Sequence, residues 1–171
     1  MAQRVLILMG SDSDLRVMKA ASDALSELGV EHEVRIASAH RTPDKTRALV
    51  QAAASNGCGA IIAGAGVAAH LPGVVASMTT LPVIGVPIAS GALNGVDALY
   101  AIVQMPQGMP VATVAIDGAY NAGLLAAQML AIGDAELAER LGAYRRQLAE
   151  RVEEKDRRLQ ELGVAAFLEK R

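Results

Sequence analysis

The sequence predicts an α/β protein with a central parallel sheet, helices on both faces and a helical extension behind them. Two observations predict it. Short runs rich in β-branched residues alternate with longer Ala-rich stretches whose apolar residues recur at helical spacing. Such alternation implies parallel strands joined by right-handed crossovers. Beyond residue 133 the composition turns charge-dense and the alternation stops.

The first strand is "RVLILM" (4–9), and the first helix is "LRVMKAASDALSELG" (15–29), stopped by Gly29. "EHEVRIA" (31–37) is the second strand. "TPDKTRALVQAAASNG" (42–57) is the second helix, with Thr42 as N-cap, Pro43 in the first turn and Asp44 beside the positive end of the helix dipole. "GAIIAGA" (59–65) is the third strand. A helix over 68–78 follows, its start made irregular by Pro72 and Gly73. "PVIGVPI" (82–88) and "PVATVAI" (110–116) are the fourth and fifth strands. Helices over 96–105 and 121–132 follow them, the second ending at Gly133.

In the charged segment from Asp134, Leu137, Leu141, Tyr144, Leu148 and Val152 recur every three or four residues, which makes one apolar stripe on a helix. That stripe suits packing on its own domain or on a neighbouring subunit. No repeat or linker interrupts the 171 residues, so one domain is expected, with a core over 1–133 and an extension over 134–171.

Composition excludes several classes. A net charge of −2 leaves no basic footprint for nucleic acid, and 2% aromatic residues leave no base-stacking surface. The N-terminal apolar run is too short for a signal peptide, and no unbroken apolar stretch reaches membrane-spanning length. Cys58 is the only cysteine, so no internal disulfide forms. The expectation is a soluble, cytoplasmic protein. A hydrophobic fraction of 52%, much of it Ala, suits close packing between subunits.

Ligands of open parallel sheets bind beyond the carboxyl ends of the strands. The loops there are "GSDSD" (10–14), "SAHRTP" (38–43), "GAGVAAHLPG" (64–73), "IASGALNG" (88–95) and "DGAYNAG" (117–123). In the first, Gly10 permits a tight turn, and Ser11, Ser13 and Asp14 offer oxygens beside unpaired helix N–H groups. The two carboxylates suit ribose hydroxyls or an amine better than a bare polyphosphate; taken alone, the loop is better explained by Ser13 or Asp14 capping the helix. In the second, His40 can exchange a proton near neutral pH and Arg41 can hold a phosphate or carboxylate.

The third loop is neither a dinucleotide fingerprint nor a P-loop, which disfavours NAD and ATP. Its glycines allow a small ligand close to the backbone, with His70 nearby. His32 has no polar company and reads as structural. Cys58, His40 and His70 lack metal-ligand spacing, and no nucleophile elbow is present. Acid–base chemistry on a small phosphorylated substrate remains.

"MGSDSD", "SAHRTP", "AGAGVAAHLPG", "LPVIGVP" and "IVQMPQGMPVATVAI" occur in this order. Together they resemble the bacterial PurE proteins, N5-carboxyaminoimidazole ribonucleotide mutases of purine biosynthesis, over about residues 4 to 132. The resemblance implies a flavodoxin-like three-layer α/β/α subunit in a homo-octamer, working without metal, ATP or biotin. Ser11, Asp14 and Arg41 match its nucleotide-binding positions and His40 its catalytic histidine. Ser38, Ala39, Gly66, Ala68, His70 and Leu71 match positions lining the site, with Gly10 and Ser13 beside them.

In that family's chemistry, carbon dioxide released from N5 and held in a closed pocket is recaptured at C4, and His40 serves both proton transfers. The related carboxylases, which use free CO2, are the nearest alternative; Arg41 after His40, "AAHLPG" and "QMPQG" look like the mutase class. A non-catalytic flavin-binding module is a further alternative, disfavoured because no Trp is present and the only Phe, Phe167, lies in the tail. Val67 stands where the family has Gly. A β-branched residue does not readily take positive φ, so either the position does not need it or the loop shifts.

Overall fold

The computed structural model describes residues 4–169. Five parallel strands, β1 (Arg4–Met9), β2 (His32–Ile36), β3 (Cys58–Gly66), β4 (Val83–Ile88) and β5 (Ala112–Thr113), lie in the order β2-β1-β3-β4-β5. This is the flavodoxin-like doubly wound order. The helices are α1 (Leu15–Glu27), α2 (Pro43–Ala53), α3 (Leu71–Ala76), α4 (Val96–Val103), α5 (Ala119–Ala131) and α6 (Ala135–Glu169).

The central strands are buried on both faces, so they read as continuous apolar runs, and the pleat sends alternate residues to opposite layers. Val5, Ile7, Met9, Ala60 and Ile62 pack with α1 and α5. Leu6, Leu8, Ile61 and Ala63 face α2, α3 and α4. At β2, the edge, Val34 and Ile36 stay exposed.

Each predicted element is present, and the differences have local causes. The first helix stops at Glu27: Gly29 takes φ 66° and the Val30 N–H donates to the Leu25 carbonyl at 2.8 Å, a Schellman ending. Thr42 precedes α2 but its side chain does not cap it. Its Oγ1 instead accepts from the Ser38 N–H (2.9 Å) and donates to the Ser38 carbonyl (3.1 Å), which tightens the loop ahead of the helix.

The helix expected over 68–78 shrinks to Leu71–Ala76, because residues 67–70 turn tightly: Ala69 N–H donates to the Val67 carbonyl and His70 N–H to that of Ala68. The fifth strand shrinks to two residues. Its chain still follows β4 through single bonds from Val114 N–H to Gly85 and from Asp117 N–H to Pro87, but Pro110 has no N–H and residues 115–118 already turn.

His32 is structural, as expected. Its Nε2 lies 2.7 Å from Ser22 Oγ and its Nδ1 2.9 Å from the Val30 carbonyl.

The extension packs on its own domain along its first turns only. Leu137 and Tyr144 are buried in the core, whereas Val152, Val164 and Leu168 are exposed, and Gly163 breaks the helix at φ 71°. Tyr120 on α5 donates to the Glu27 carboxylate of α1 (2.6 Å) and accepts from the Tyr144 hydroxyl of α6 (3.2 Å). Burial, and then the neighbouring Glu27, push the Tyr120 hydroxyl well above its ordinary pKa.

Candidate functional site

In this strand order the carboxyl ends of β2, β1 and β3 are neighbours, so the loops carrying Asp14, His40 and Gly66 converge. They enclose a cavity of about 400 Å³, within the range of small-ligand sites.

Ser11, just beyond β1, caps the short 3₁₀ turn Asp12–Asp14. Its Oγ accepts from the Ser13 N–H (3.4 Å), and the Asp14 carboxylate accepts from the Ser11 N–H (3.1 Å). Neither Ser13 nor Asp14 caps α1 through its side chain, as a simple helix cap would require; Asp14 instead closes the capping box of the 3₁₀ turn with Ser11. Burial pushes the Asp14 carboxyl above its ordinary pKa, opposed by its hydrogen bonds and by the Arg41 charge. The turn thus offers the cavity a partly desolvated carboxylate.

The loop after β2 is fixed to the loop after β1. Arg41 Nη2 donates to the Gly10 carbonyl (2.6 Å), and buried Ser38 accepts at Oγ from the Arg41 N–H (3.2 Å). Gly10, Ser13 and Ala39 complete this polar wall. A second depression shares Gly10, Ser11, Ser38 and Arg41 and adds Asp12, Thr42 and Lys45, so two cationic side chains and one carboxylate line this end.

Gly66, Ala68 and Leu71 form the opposite wall, with Ala65 and Val67. Val67 takes φ 49°. Of the two outcomes expected for it, neither holds: the position keeps positive φ and valine adopts it, at a cost of about 1–2 kcal/mol.

His40 stands between the walls. Its Nε2 lies 2.9 Å from His70 Nδ1 with the rings edge to face, so one ring donates and the other accepts. His70 therefore stands behind His40 and is not part of the cavity wall. His40 and His70 are both exposed, so in a single chain the cavity is open on their side and not the closed pocket expected.

Sequence reasoning missed Ala65, Val67 and Ser90 as lining residues. Ser90 lies in the loop after β4, which the strand-end rule had already singled out. Among the described residues no group of three or more His, Cys, Asp or Glu stands together as a metal site, and no helix is long and apolar enough to cross a membrane.

Topology and site together define a doubly wound α/β protein with a polar-walled cavity of small-ligand size beyond its strand ends. More narrowly, the chain belongs to the AIR carboxylase family, which matches residues 4–151.

Two relatives carry the name N5-carboxyaminoimidazole ribonucleotide mutase. That of Pyrococcus horikoshii is 56% identical over 95% of this chain and 92% of its own length; that of Thermotoga maritima is 53% identical over 96% of both. The crystal structure of Treponema denticola PurE superposes with a TM-score of 0.84 at 30% identity, covering 92% of this chain and 98% of that one.

Proposed function

We propose that this chain is a mutase of purine biosynthesis that converts N5-carboxyaminoimidazole ribonucleotide into 4-carboxy-5-aminoimidazole ribonucleotide. The observation that carries the reading is His40 set between a hydrogen-bonding wall and an apolar one in a cavity of ligand size. More than half-identical mutases of nearly the same length support it.

In this reading Arg41, with Lys45 nearby, takes the substrate phosphate, and Ser11, Ser13 and Asp14 take ribose hydroxyls or the amine. Protonated His40 delivers a proton to N5 as the N–C bond breaks, releasing CO2 and aminoimidazole ribonucleotide. C4 attacks the CO2, forming a C–C bond at a carbon that still bears hydrogen. Neutral His40 removes that proton, which restores the aromatic ring and the imidazolium, so protons balance over the cycle. His70 orients His40 through their shared nitrogen contact. Gly66, Ala68 and Leu71 keep water from the CO2 and hold it near C4.

Retaining CO2 requires closing the open side of the cavity, and other copies of the chain in a homo-octamer supply that closure. The apolar residues Leu93, Val96, Tyr100 and Val103, all exposed around α4, support such packing. Buried Leu137 and Tyr144 support treating residues 1–171 as one domain, core 1–133 with extension 134–171. The protein acts in the cytoplasm on a diffusible substrate, with no nucleic acid or membrane partner.

The test is a paired assay. Purified protein receives N5-carboxyaminoimidazole ribonucleotide in one reaction and aminoimidazole ribonucleotide plus bicarbonate in the other. Fast formation of the 4-carboxylated product only in the first is expected. Turnover in the second at low bicarbonate makes the chain a carboxylase using free CO2.

A further inference from the structure

Ser90 lies two residues beyond β4 and lines the same cavity. Its hydroxyl is sealed from solvent and has no hydrogen-bond partner among the described residues. The cavity's other three serines are all engaged: Ser11 Oγ donates to Asp12, Ser13 Oγ donates to Asp14, and Ser38 Oγ accepts from Arg41. A buried hydroxyl without a partner is costly until an acceptor arrives.

The backbone around Ser90 is pinned. The Ala89 N–H donates to the Asp117 carboxylate (2.9 Å), and Asp117 in turn donates its N–H to the Pro87 carbonyl (2.8 Å). Gly91 and Gly95 hold the rest of the loop at φ 66° and 88°. The Ser90 hydroxyl itself lodges over Gly66. Space for it exists because residue 66 is glycine: a Cβ there would collide with the Ser90 hydroxyl and crowd the Ile88 carbonyl at 3.1 Å.

We infer that the Ser90 hydroxyl binds the carboxylate that the reaction moves. This rests on the mutase reading above. Arg41 and Lys45 cluster at the β1–β2 end and suit the phosphate, whereas Ser90 belongs to the β3–β4 side, beside Gly66. A single neutral donor also suits the chemistry. It bonds well to a carboxylate and weakly to CO2, so it lets go as the N–C bond breaks and re-engages when the C–C bond forms. An arginine in its place would favour the charged ground state over the path to CO2.

The experiment measures, by calorimetry, the affinities of wild type and Ser90→Ala for two nucleotides. One is 4-carboxy-5-aminoimidazole ribonucleotide and the other is aminoimidazole ribonucleotide, which lacks the carboxylate. The expected result is about tenfold weaker binding of the first and unchanged binding of the second, with no loss of thermal stability. Equal weakening of both, or no change in either, overturns the inference. Ser90→Cys, close in size and a weak donor, repeats the comparison if the alanine variant does not fold. Turnover of the wild type is followed in the same preparations. Wild-type protein that binds both nucleotides but isomerises nothing sinks the mutase reading, and the two affinities still decide whether Ser90 touches the carboxylate.

Discussion

On the β1–β2 side of the cavity, Ser11, Asp14, Ser38 and Arg41 are held by hydrogen bonds to one another and to backbone. On the β3–β4 side no side chain of the wall is so held; shape comes from the missing Cβ of Gly66 and the positive φ of Val67. The first wall is fixed by polar partners, the second by backbone conformation. The difference suits a ligand with a charged end to be gripped and a reacting end to be enclosed. It also separates what mutations should do: the polar wall governs binding of the phosphate and ribose, the opposite wall governs stability and enclosure apart from the carboxylate contact of Ser90, and His40 between them governs turnover.

His40→Asn breaks the scheme at its centre. Turnover should fall at least about 100-fold while the variant folds and still binds nucleotide, because only the proton carrier is removed. Near-normal turnover would take His40 out of the acid–base role.

Arg41→Ala attacks the polar wall. KM should rise roughly 10- to 100-fold, the scale of a lost charged hydrogen bond, with a smaller effect on kcat. An unchanged KM places the phosphate elsewhere.

Val67→Gly relaxes the other wall. Removing a β-branched residue from positive φ, less the added entropy of an unfolded glycine, should raise stability by about 0.5–1 kcal/mol. Val67 is 57% exposed, so little packing is lost. Chemical denaturation reads the change, and a destabilised variant would mean that the valine packs against something the single chain does not contain.

Asp14→Asn has the smallest effect. The folded pKa of Asp14 lies above its unfolded value, chiefly through burial. Between the two values the native state binds more protons than the unfolded chain, so stability falls as pH rises through that window and is level above it. Asparagine still accepts from the Ser11 N–H but carries no charge. Denaturation curves from about pH 4 to pH 7 should lose this decline. A decline of the same size in the variant would assign it to another group.

The three-layer architecture was legible because buried parallel strands must be apolar on both faces, which separates "RVLILM" and "GAIIAGA" from the amphipathic helices between them. The convergence of the Asp14, His40 and Gly66 loops followed from the rule for strand ends, and the resemblance to PurE supplied their assigned roles. What stayed hidden depended on long-range geometry. Ser90 looks like any loop serine until burial removes its partners. Val67 is β-branched, and nothing local announces that its neighbours force a positive φ. The standing of His70 behind His40 is set by two loops thirty positions apart. Whether the last helix packs on its own core was undecidable from its stripe, because the stripe continues past the point where the core ends.

The seam where Tyr144 of α6 meets Tyr120 of α5 has an optical consequence. The chain has three tyrosines and no tryptophan, so its near-ultraviolet absorption and emission come from tyrosine. Two of the three share this seam, hydroxyl to hydroxyl, with Glu27 as the final acceptor. Loosening the last helix changes the surroundings of both chromophores at once, whereas a ligand in the cavity touches neither. The molecule carries an unlabelled gauge of how firmly its tail is docked, legible separately from anything the cavity does.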